Sequence, residues 1–296
     1  MGLGYQFTDR RSFDYELWYL EGSTIALRGP RAIFDNTLDY WTFLGAAQTF
    51  GRFTDNPFPA LVSTQFGKAH LNLGFGGAGP EYFLKHSHLL EKINKSSVCF
   101  LQMMSGRSTS TSLLKAVGHG GMLKFIHGPL EDKRFIAAEA YQKLLSVYGR
   151  EAAEQQIAEA RESWVAGYTK LIKAITVPIV GVWMSYRGHS YTASFENANV
   201  LLGEFPQLIT QAELEAIESL GVEIVGRPFN GPKEQLLLDY TTRKPAQVYD
   251  QDHFASRADW SRSYNTYYPT PEMHVAIAND IAMYLMANRE KYGLDR

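Results

Sequence analysis

The hydroxyl and imidazole groups best placed for chemistry follow apolar runs of the chain. Ser105 and Ser108 come directly after the run Val98 to Met104, and their hydroxyls suit a nucleophile or a hydrogen-bond donor, although serines in such loops also cap turns. His274 stands near the start of an amphipathic segment. It could activate water as a general base if an oxygen atom orients its second ring nitrogen. These three residues are candidates for catalysis.

Two arginines indicate the charge of a ligand. Arg52 and Arg107 each follow a glycine that comes shortly after an apolar run. If both lie at the same edge of a sheet, they favour a ligand with a sulfate, phosphate or carboxylate group. The alternative is that each arginine pairs with a local acid, such as Asp55 for Arg52.

The elements that must position these residues are short strands alternating with helices. Five apolar runs are bounded by glycine or polar residues and predict β-strands. They are Trp41 to Leu44, His70 to Leu73, Val98 to Met104, Val177 to Met184 and Val222 to Val225. Helical periodicity over Pro59 to Phe66 and Glu81 to Ile93 completes the alternation, which predicts a parallel sheet covered on both faces.

Longer helical segments follow. The stretch from Phe135 to Ile175 is rich in helix formers and predicts two helices that break near Gly149. We expect a single α/β domain over residues 1–296, with an N-terminal extension over 1–38 that wraps the sheet and a helical insertion over 113–175. A last helix is predicted from Pro271, with Thr270 as its N-cap.

Two glycine-rich strand ends predict a ligand pocket. Gly45 to Gly51 and Gly74 to Gly79 lie where open α/β sheets bind ligands, beyond the carboxyl ends of their strands. The second stretch contains a literal GxGxxG pattern, but the region about 20 residues later, KINKSSVCFLQM, lacks the acidic residue of a dinucleotide site. A purely structural role, in which the glycines permit tight packing, is a further alternative.

These residues carry a resemblance to the SGNH (GDSL-type) hydrolases. The segment Gly45 to Gly51, GAAQTFG, resembles their first block, Gly-Asp-Ser-x-Thr-x-Gly, and Asn72 to Gly77 resembles their second. The resemblance implies a flavodoxin-like three-layer α/β/α fold with a parallel sheet. It also implies that Gly74 and Gly77 belong to the oxyanion side of the pocket and that His274 is the histidine of the closing Asp-x-x-His block.

The sequence departs from that pattern at the positions of the catalytic residues. Ala47 stands where the nucleophilic serine is expected, Ala46 replaces the aspartate beside it, and Pro271 replaces the aspartate of the closing block. A methyl group cannot attack a carbonyl, so the nucleophile would have to move. Thr49 carries the nearest hydroxyl, and Ser108 falls near the asparagine of the third block.

Two further resemblances bear on function. Tyr19 to Arg31 (YLEGSTIALRGPR) and Gly51 to Phe53 resemble an alphaproteobacterial family of unknown function over nearly the whole chain. The loop Ser105 to Ser112, with its Arg107-Ser108 pair, is similar to the phosphosulfate-binding loop of PAPS-dependent sulfotransferases. Three hypotheses follow: a hydrolase-like protein acting on an acyl ester or on an acylated or sulfated carbohydrate, a catalytically inactive binding protein on the same fold, and a sulfotransferase.

The composition and charge limit the classes of molecule that the protein is expected to bind. The 296 residues are 45% hydrophobic and 20% charged with a formal net charge of -2, which is typical of a globular protein and argues against a nucleic-acid or anionic-membrane surface. We therefore expect a small-molecule or carbohydrate ligand, anionic or acylated. Cys99 is the only cysteine, and His86 and His88 are two apart on a predicted helix, so we expect no bound metal and no cofactor.

The expected location is the cytoplasm. The first residues lack the basic start, apolar core and cleavage site of a signal peptide, and no run approaches the roughly 20 apolar residues of a membrane span.

Overall fold

The computed structural model describes residues 9, 12–20, 23–31, 39–117, 121–246, 248–249 and 261–294. The strands are β1 (Trp18–Tyr19), β2 (Ala26–Leu27), β3 (Tyr40–Gly45), β4 (Ala69–Gly74), β5 (Val98–Gln102), β6 (Leu114–Val117), β7 (Met122–Phe125), β8 (Arg134–Ile136), β9 (Ile179–Val182), β10 (Glu223–Val225), β11 (Gln235–Leu236), β12 (Val248–Tyr249), β13 (Ser261–Arg262) and β14 (Tyr264–Asn265).

The α-helices are α1 (Ala47–Phe50), α2 (Phe58–Phe66), α3 (Pro80–Lys85), α4 (Ser87–Asn94), α5 (Ala137–Lys143), α6 (Arg150–Ala174), α7 (Ala198–Leu202), α8 (Gln211–Glu218) and α9 (Pro271–Ala287). Short 3₁₀ turns lie at Gly128–Leu130 and Glu290–Tyr292, and a π-helical turn at Leu144–Tyr148 joins α5 to Gly149. Gly149 has φ of 88°, which ends one helix before α6 begins, so the predicted break is confirmed.

The central sheet has five parallel strands in the order β4-β3-β5-β9-β10. If these five strands are renumbered 1 to 5 along the chain, beginning with β3, their order in the sheet is 2-1-3-4-5, which is the flavodoxin-like order. All five predicted strands are present, and the predicted fold is confirmed. Their short, apolar character follows from burial on both faces, since the alternating side chains of each strand pack against two different helical layers.

Alternation along β3 shows the two layers. Leu44 packs in a core cluster with Phe83 of α3 and Trp164 of α6, while Phe43 packs on the opposite face with Phe58 of α2 and Ile277 of α9. Helices therefore cover both faces of the sheet. Thr270 precedes α9 as its N-cap with Pro271 in the first turn, as predicted.

The segment over 113–175 differs from the predicted helical insertion. Strands β6, β7 and β8 form a three-stranded antiparallel sheet before α5 and α6 begin. These strands are three or four residues long and each contains one charged residue, so they show neither the length nor the continuous apolar character of the central strands.

The described N-terminal residues pack on one edge of the sheet. Strands β1 and β2 pair antiparallel, and Arg28 bridges to Asn72 on β4, the edge strand of the central sheet. This pairing covers backbone groups that would otherwise be left open at the edge. Within the described ranges, no helix has the length and apolar content needed to cross a bilayer.

Candidate functional site

The two glycine-rich strand ends meet and form a packed corner. Gly45 and Gly74 are paired in register. A Cβ on Gly74 would lie 2.0 Å from the backbone N of Phe50, and one on Gly45 would lie 2.1 Å from Thr49 Oγ1. The glycines therefore let α1 lie directly on the strand ends. Helix α1 therefore occupies the space directly between Gly45 and Gly74, and Gln48 of this helix lines the cleft described below.

Ala47 is the first residue of α1 and is buried, with 5% of its surface exposed. It packs in a cluster with rings from both ends of the chain, which we call the aromatic cap: Phe13, Tyr15, Phe53 and Tyr268, together with Leu237 and Ala246. The position of the expected nucleophile is therefore both without a functional group and covered. No substrate can approach Ala47 while the cap is closed.

Thr49 is committed to a structural contact. Its Oγ1 donates to Gln102 Oε1 at 2.7 Å, and the same oxygen accepts from the backbone N of Ala46 at 2.8 Å. The Thr49 side chain is fully buried. The hydroxyl thus ties α1 to the end of β5, an arrangement that does not fit the predicted nucleophilic role.

The predicted oxyanion donors also have other tasks. The Gly74 N–H donates to Asn72 Oδ1 at 2.9 Å, and Asn72 Nδ2 donates to the Thr49 carbonyl at 2.9 Å. Gly77 has φ of 73° and lies exposed in the turn before α3. Because the Gly74 N–H is already bonded to Asn72 and Gly77 lies exposed in a turn, these positions do not fit the predicted oxyanion hole.

His274 is completely buried in the second layer of helices. Its Nδ1 accepts from the backbone N–H of Phe58 at 3.1 Å, and its ring is stacked on the Phe58 ring with 6.1 Å between centroids. Burial lowers its pKa to about 3, with a smaller contribution from the charge of Arg28. Because Nδ1 is an acceptor, the neutral ring carries its proton on Nε2, and Nε2 has no partner among the described residues.

The predicted pairing of His274 with a serine is therefore not formed. Within the described ranges, no Ser, Thr, Asp or Glu side chain hydrogen-bonds to its ring. A general base needs a reachable proton and a pKa near the working pH, and His274 has neither.

The serine and threonine loop after β5 is anchored to α6. Thr111 Oγ1 donates to Gln156, and Ser112 donates to Glu159 through its N–H at 2.7 Å and its hydroxyl at 2.9 Å. Ser105 Oγ accepts from the backbone N of Arg107 at 3.2 Å. The predicted sulfotransferase cradle needs these hydroxyls free to wrap an anion, and the structure instead uses most of them to hold the loop.

Arg52 is a structural arginine. Its guanidinium pairs with Asp9 at 2.8 and 3.2 Å and donates to the Tyr268 hydroxyl at 3.0 Å, and it is buried. The local pairing with Asp55 that the sequence suggested is wrong; the partner lies 43 residues away. Arg52 therefore joins the two ends of the chain and does not contact the cleft described next.

A cleft does open at the carboxyl end of the sheet, on the β9 side of the packed corner. Its volume is about 180 Å³, roughly the share of six water molecules in the liquid. The lining residues come from the segments that follow β3 and β9, from the loop after α7 and from the segment that leads into α9: Gln48, Met184, Ser185, Tyr186, Gly203, Glu204, Phe205, Gln207, Lys233, Thr266, Tyr267, Pro269 and Met273. This is the position at which open α/β sheets bind ligands.

Two buried amides line the cleft with unsatisfied oxygens. Gln48 is 3% exposed and Gln207 is 5% exposed. In the part of the chain that is described, neither Oε1 atom has a hydrogen-bond partner, while Gln207 Nε2 donates to the Tyr267 hydroxyl at 3.2 Å. An unsatisfied buried polar atom costs about 1–3 kcal/mol. These two side chains are the strongest indication of a ligand, since rotation of either amide group toward the cleft lets a ligand supply the missing hydrogen bond.

The sequence did not single out these amides. Glutamine at the start of a helix or in a loop belongs to no catalytic pattern, so only position could have indicated it. Gln48 lies within the glycine-rich segment that was expected to meet a ligand, and Tyr267 lies in the aperiodic stretch from Asp239 to Tyr268, whose length is typical of functional loops.

Arg187 fixes the loop that carries Gln207. Its guanidinium donates to the carbonyls of Glu204 at 3.2 Å and of Pro206 and Ile209 at 2.6 Å each. Burial lowers its pKa to about 10, so it remains charged at neutral pH. Because three carbonyls of one loop share one cation, the cleft wall is held in place before any ligand arrives.

The long helix α6 holds the segment that follows β5. Tyr168 donates to the Gln102 carbonyl at 2.6 Å and accepts from Met104 N at 2.7 Å, and Trp164 Nε1 donates to the Met104 carbonyl at 2.9 Å. Both aromatic residues are buried, as is Tyr141. They fix the point at which the chain leaves β5 and turns toward Arg107.

The described residues form no cluster of metal-binding side chains. No group of three His, Cys, Asp or Glu side chains there is arranged to hold an ion. Cys99 is buried in β5, where burial raises the pKa of its thiol to about 12.

The strand order and the two helical layers define the class, a three-layer α/β/α protein of the flavodoxin-like type. Residues 3–115 match a family model described as a domain of unknown function (DUF6473), which confirms the resemblance to such a family over that part of the chain. A comparison with curated proteins gives no match.

Several solved structures of esterases and lipases are similar to this chain. The lipase Lip_vut3 from a goat rumen metagenome is 10% identical with a TM-score of 0.43, covering 83% of this chain and 96% of the lipase. A catalytic mutant of an acetylxylan esterase from Geobacillus stearothermophilus is 10% identical with a TM-score of 0.39, covering 86% and 94%. A family two carbohydrate esterase from Clostridium thermocellum is 9% identical with a TM-score of 0.40, covering 90% and 68%.

Proposed function

We propose that this protein binds a small hydroxyl-bearing molecule in the cleft and that it does not act through an acyl-enzyme. The observation that carries the proposal is a pair of cleft-lining glutamines, Gln48 and Gln207, whose buried Oε1 atoms have no donor among the described residues. A hydroxyl both donates and accepts, so it satisfies these side chains in either orientation of the amide group. Tyr186 and Tyr267 add aromatic surface against the apolar face of such a ligand.

The absence of a working nucleophile supports binding over hydrolysis. Ala47 has no functional group, the Thr49 hydroxyl is used internally, and His274 is sealed from solvent. An acyl ester or an acylated carbohydrate remains compatible with the cleft as a ligand, but the described residues provide no nucleophile–base pair to cleave it. A sulfotransferase is less well supported, because the loop it would need is tied to α6 through Thr111 and Ser112.

A binding screen tests the proposal. Wild-type protein, Gln48→Leu and Gln207→Leu are titrated with monosaccharides and polyols while amide chemical shifts and the melting temperature are recorded. We expect at least one member to bind wild type and to lose about tenfold in affinity in each variant, since one hydrogen bond in a buried site is worth about 1–1.5 kcal/mol. Gln65→Leu, an exposed glutamine on α2, is the matched control and keeps wild-type affinity.

The hydrolase alternative is measured on the same proteins. We expect p-nitrophenyl acyl esters to turn over no faster with wild type than with His274→Ala or with buffer. Ester cleavage that disappears in His274→Ala would contradict the proposal, as would a complete lack of any Gln48-dependent binding.

A further inference from the structure

The Arg107 side chain stacks on Tyr267, a residue that lines the cleft, and it has no acidic partner among the described residues. Its guanidinium carbon is 5.4 Å from the centroid of the Tyr267 ring, and the backbone N of the preceding Gly106 donates to the Gln207 carbonyl at 3.0 Å. Two cleft residues thus hold the arginine in place. Its side chain is half-buried, and among the described residues it makes no ion pair and no hydrogen bond through its guanidinium.

A free, half-buried guanidinium is unusual in this protein. Arg52 pairs with Asp9, Arg187 donates to five backbone carbonyls, and Arg150 pairs with Glu154. Lys233, the cation that lines the cleft itself, is paired with Glu204. The five N–H donors of Arg107 are therefore available to a ligand, in the fork that matches a carboxylate or phosphate.

Gly121 brings the backbone close to the Ser108 and Arg107 side chains. A Cβ on Gly121 would lie 3.1 Å from Ser108 Oγ and 4.0 Å from Arg107 Nη2, and Gly121 has φ of 79°, so the chain passes these two side chains at a position that favours glycine. The Ser108 hydroxyl makes no hydrogen bond within the described part of the chain, so it too can donate to an anion.

We infer that the ligand of the cleft carries an anionic group, a carboxylate, phosphate or sulfate, that binds Arg107 and Ser108 beyond the Tyr267 ring. The inference rests on the proposed function and names the ligand class: a small anion with hydroxyl groups. Its hydroxyls contact Gln48 and Gln207, and its charged end contacts the Arg107 guanidinium and the Ser108 hydroxyl. Tyr267 is shared by both halves of the site, because it contacts Gln207 through its hydroxyl and Arg107 through its ring.

Matched neutral and anionic probes test this assignment. Sorbitol is compared with gluconate, and glucose with glucose 6-phosphate, by titration of wild type, Arg107→Gln, Arg107→Lys and Arg150→Gln. We expect one anion to bind wild type about tenfold tighter than its neutral partner, as charge-assisted hydrogen bonds add about 1.5–3 kcal/mol. Arg107→Gln abolishes that preference and leaves the neutral probe unchanged, and Arg107→Lys retains part of it.

The control separates a specific site from general charge. Arg150 is also stacked on an aromatic ring, that of Phe195 at 4.8 Å, but it lies on α6 away from the cleft, so Arg150→Gln keeps the full preference for the anion. Equal loss in both variants overturns the inference. A preference limited to the phosphate or to the carboxylate pair supports it and identifies the group.

Different results would overturn the anion site and the binding function. If neutral and anionic probes bind equally and both depend on Gln48, the anion site is wrong and the binding function stands. If no probe shows binding that depends on Gln48 or Arg107, both are overturned.

Discussion

At the residue scale, His274 shows how burial changes the chemistry of a side chain. Burial lowers its pKa to about 3, and burial of His70 lowers its pKa to about 4. The fold therefore favours neutral rings, whereas the unfolded chain binds these protons near pH 6.5. The stability that these two neutral rings contribute is fully present above about pH 6.5. It falls as the pH is lowered toward the folded pKa values, because protons then bind the unfolded state first.

His274→Gln should reduce this pH dependence. The glutamine can still accept from Phe58 N–H through its Oε1 but cannot titrate, so the slope of unfolding free energy against pH between about 6 and 4 decreases by as much as about 1.4 kcal/mol per pH unit. Urea unfolding at a series of pH values measures this slope. Gln65→Leu, at an exposed site on α2 that does not titrate, should leave the slope unchanged. An unaltered slope in His274→Gln would show that the ring is protonated in the fold.

At this scale the sequence indicates residue types better than it indicates their partners. The position of Arg52 after a strand end is visible in the sequence, but its partner Asp9 lies 43 residues away and shares no pattern with it. Gln48 does not stand out, because its neighbours Ala47 and Thr49 fall on the named positions of the hydrolase block. Long-range pairing and solvent access decide these roles, and neither is encoded in local spacing.

At the element scale, the packing of α1 on β4 requires a residue without a side chain at Gly74, the last residue of that strand. Gly74→Ala places a Cβ 2.0 Å from Phe50 N, which is backbone and cannot rotate away, so α1 must shift. We expect destabilisation of about 1–3 kcal/mol or more, the usual cost of overpacking a core. Gly167→Ala on α6 is the contrasting variant: its Cβ would meet Pro80 at an ordinary 3.4 Å, and the change should be neutral or stabilising by up to about 1 kcal/mol. Denaturant midpoints decide between these values, and a stable Gly74→Ala would contradict the packing described.

The central strands were predictable because each is an apolar run that ends at a glycine or a polar turn, as at Leu44-Gly45. Strand β7 was not, because its four residues, Met122 to Phe125, show no alternation of polar and apolar side chains and its pairing with β6 and β8 depends on neighbours in three dimensions. A strand this short carries too few residues for a period of two to stand out.

At the scale of the whole molecule, the cleft is assembled from segments that are far apart in the chain. Gln48 follows the first strand of the sheet, Gln207 lies in the loop after α7, and Tyr267 immediately precedes the last helix. A ligand that contacts all three binds only the folded chain, so its binding stabilises the fold as a whole. This linkage is why a melting temperature reports on the cleft.

The same long-range assembly closes the aromatic cap over Ala47. Phe13 and Tyr15 come from the N-terminal residues, and Leu237 and Tyr268 come from the C-terminal third. If these segments stay packed, a thiol placed at Ala47 is as protected as the native Cys99, which is buried in β5. We therefore expect native wild type and native Ala47→Cys to react slowly with a thiol reagent such as DTNB, and both to react fully in urea.

Ser87→Cys, at an exposed position on α4, is the positive control and should react at once. The comparison also determines how any ester activity in Ala47→Ser should be interpreted, since a serine that solvent cannot reach has no route to a substrate. If native Ala47→Cys reacts as fast as Ser87→Cys, the cap opens in solution, and the corner beneath it becomes a second place where a ligand can enter. Slow reaction leaves the cleft lined by Gln48 and Gln207 as the accessible site at this end of the sheet.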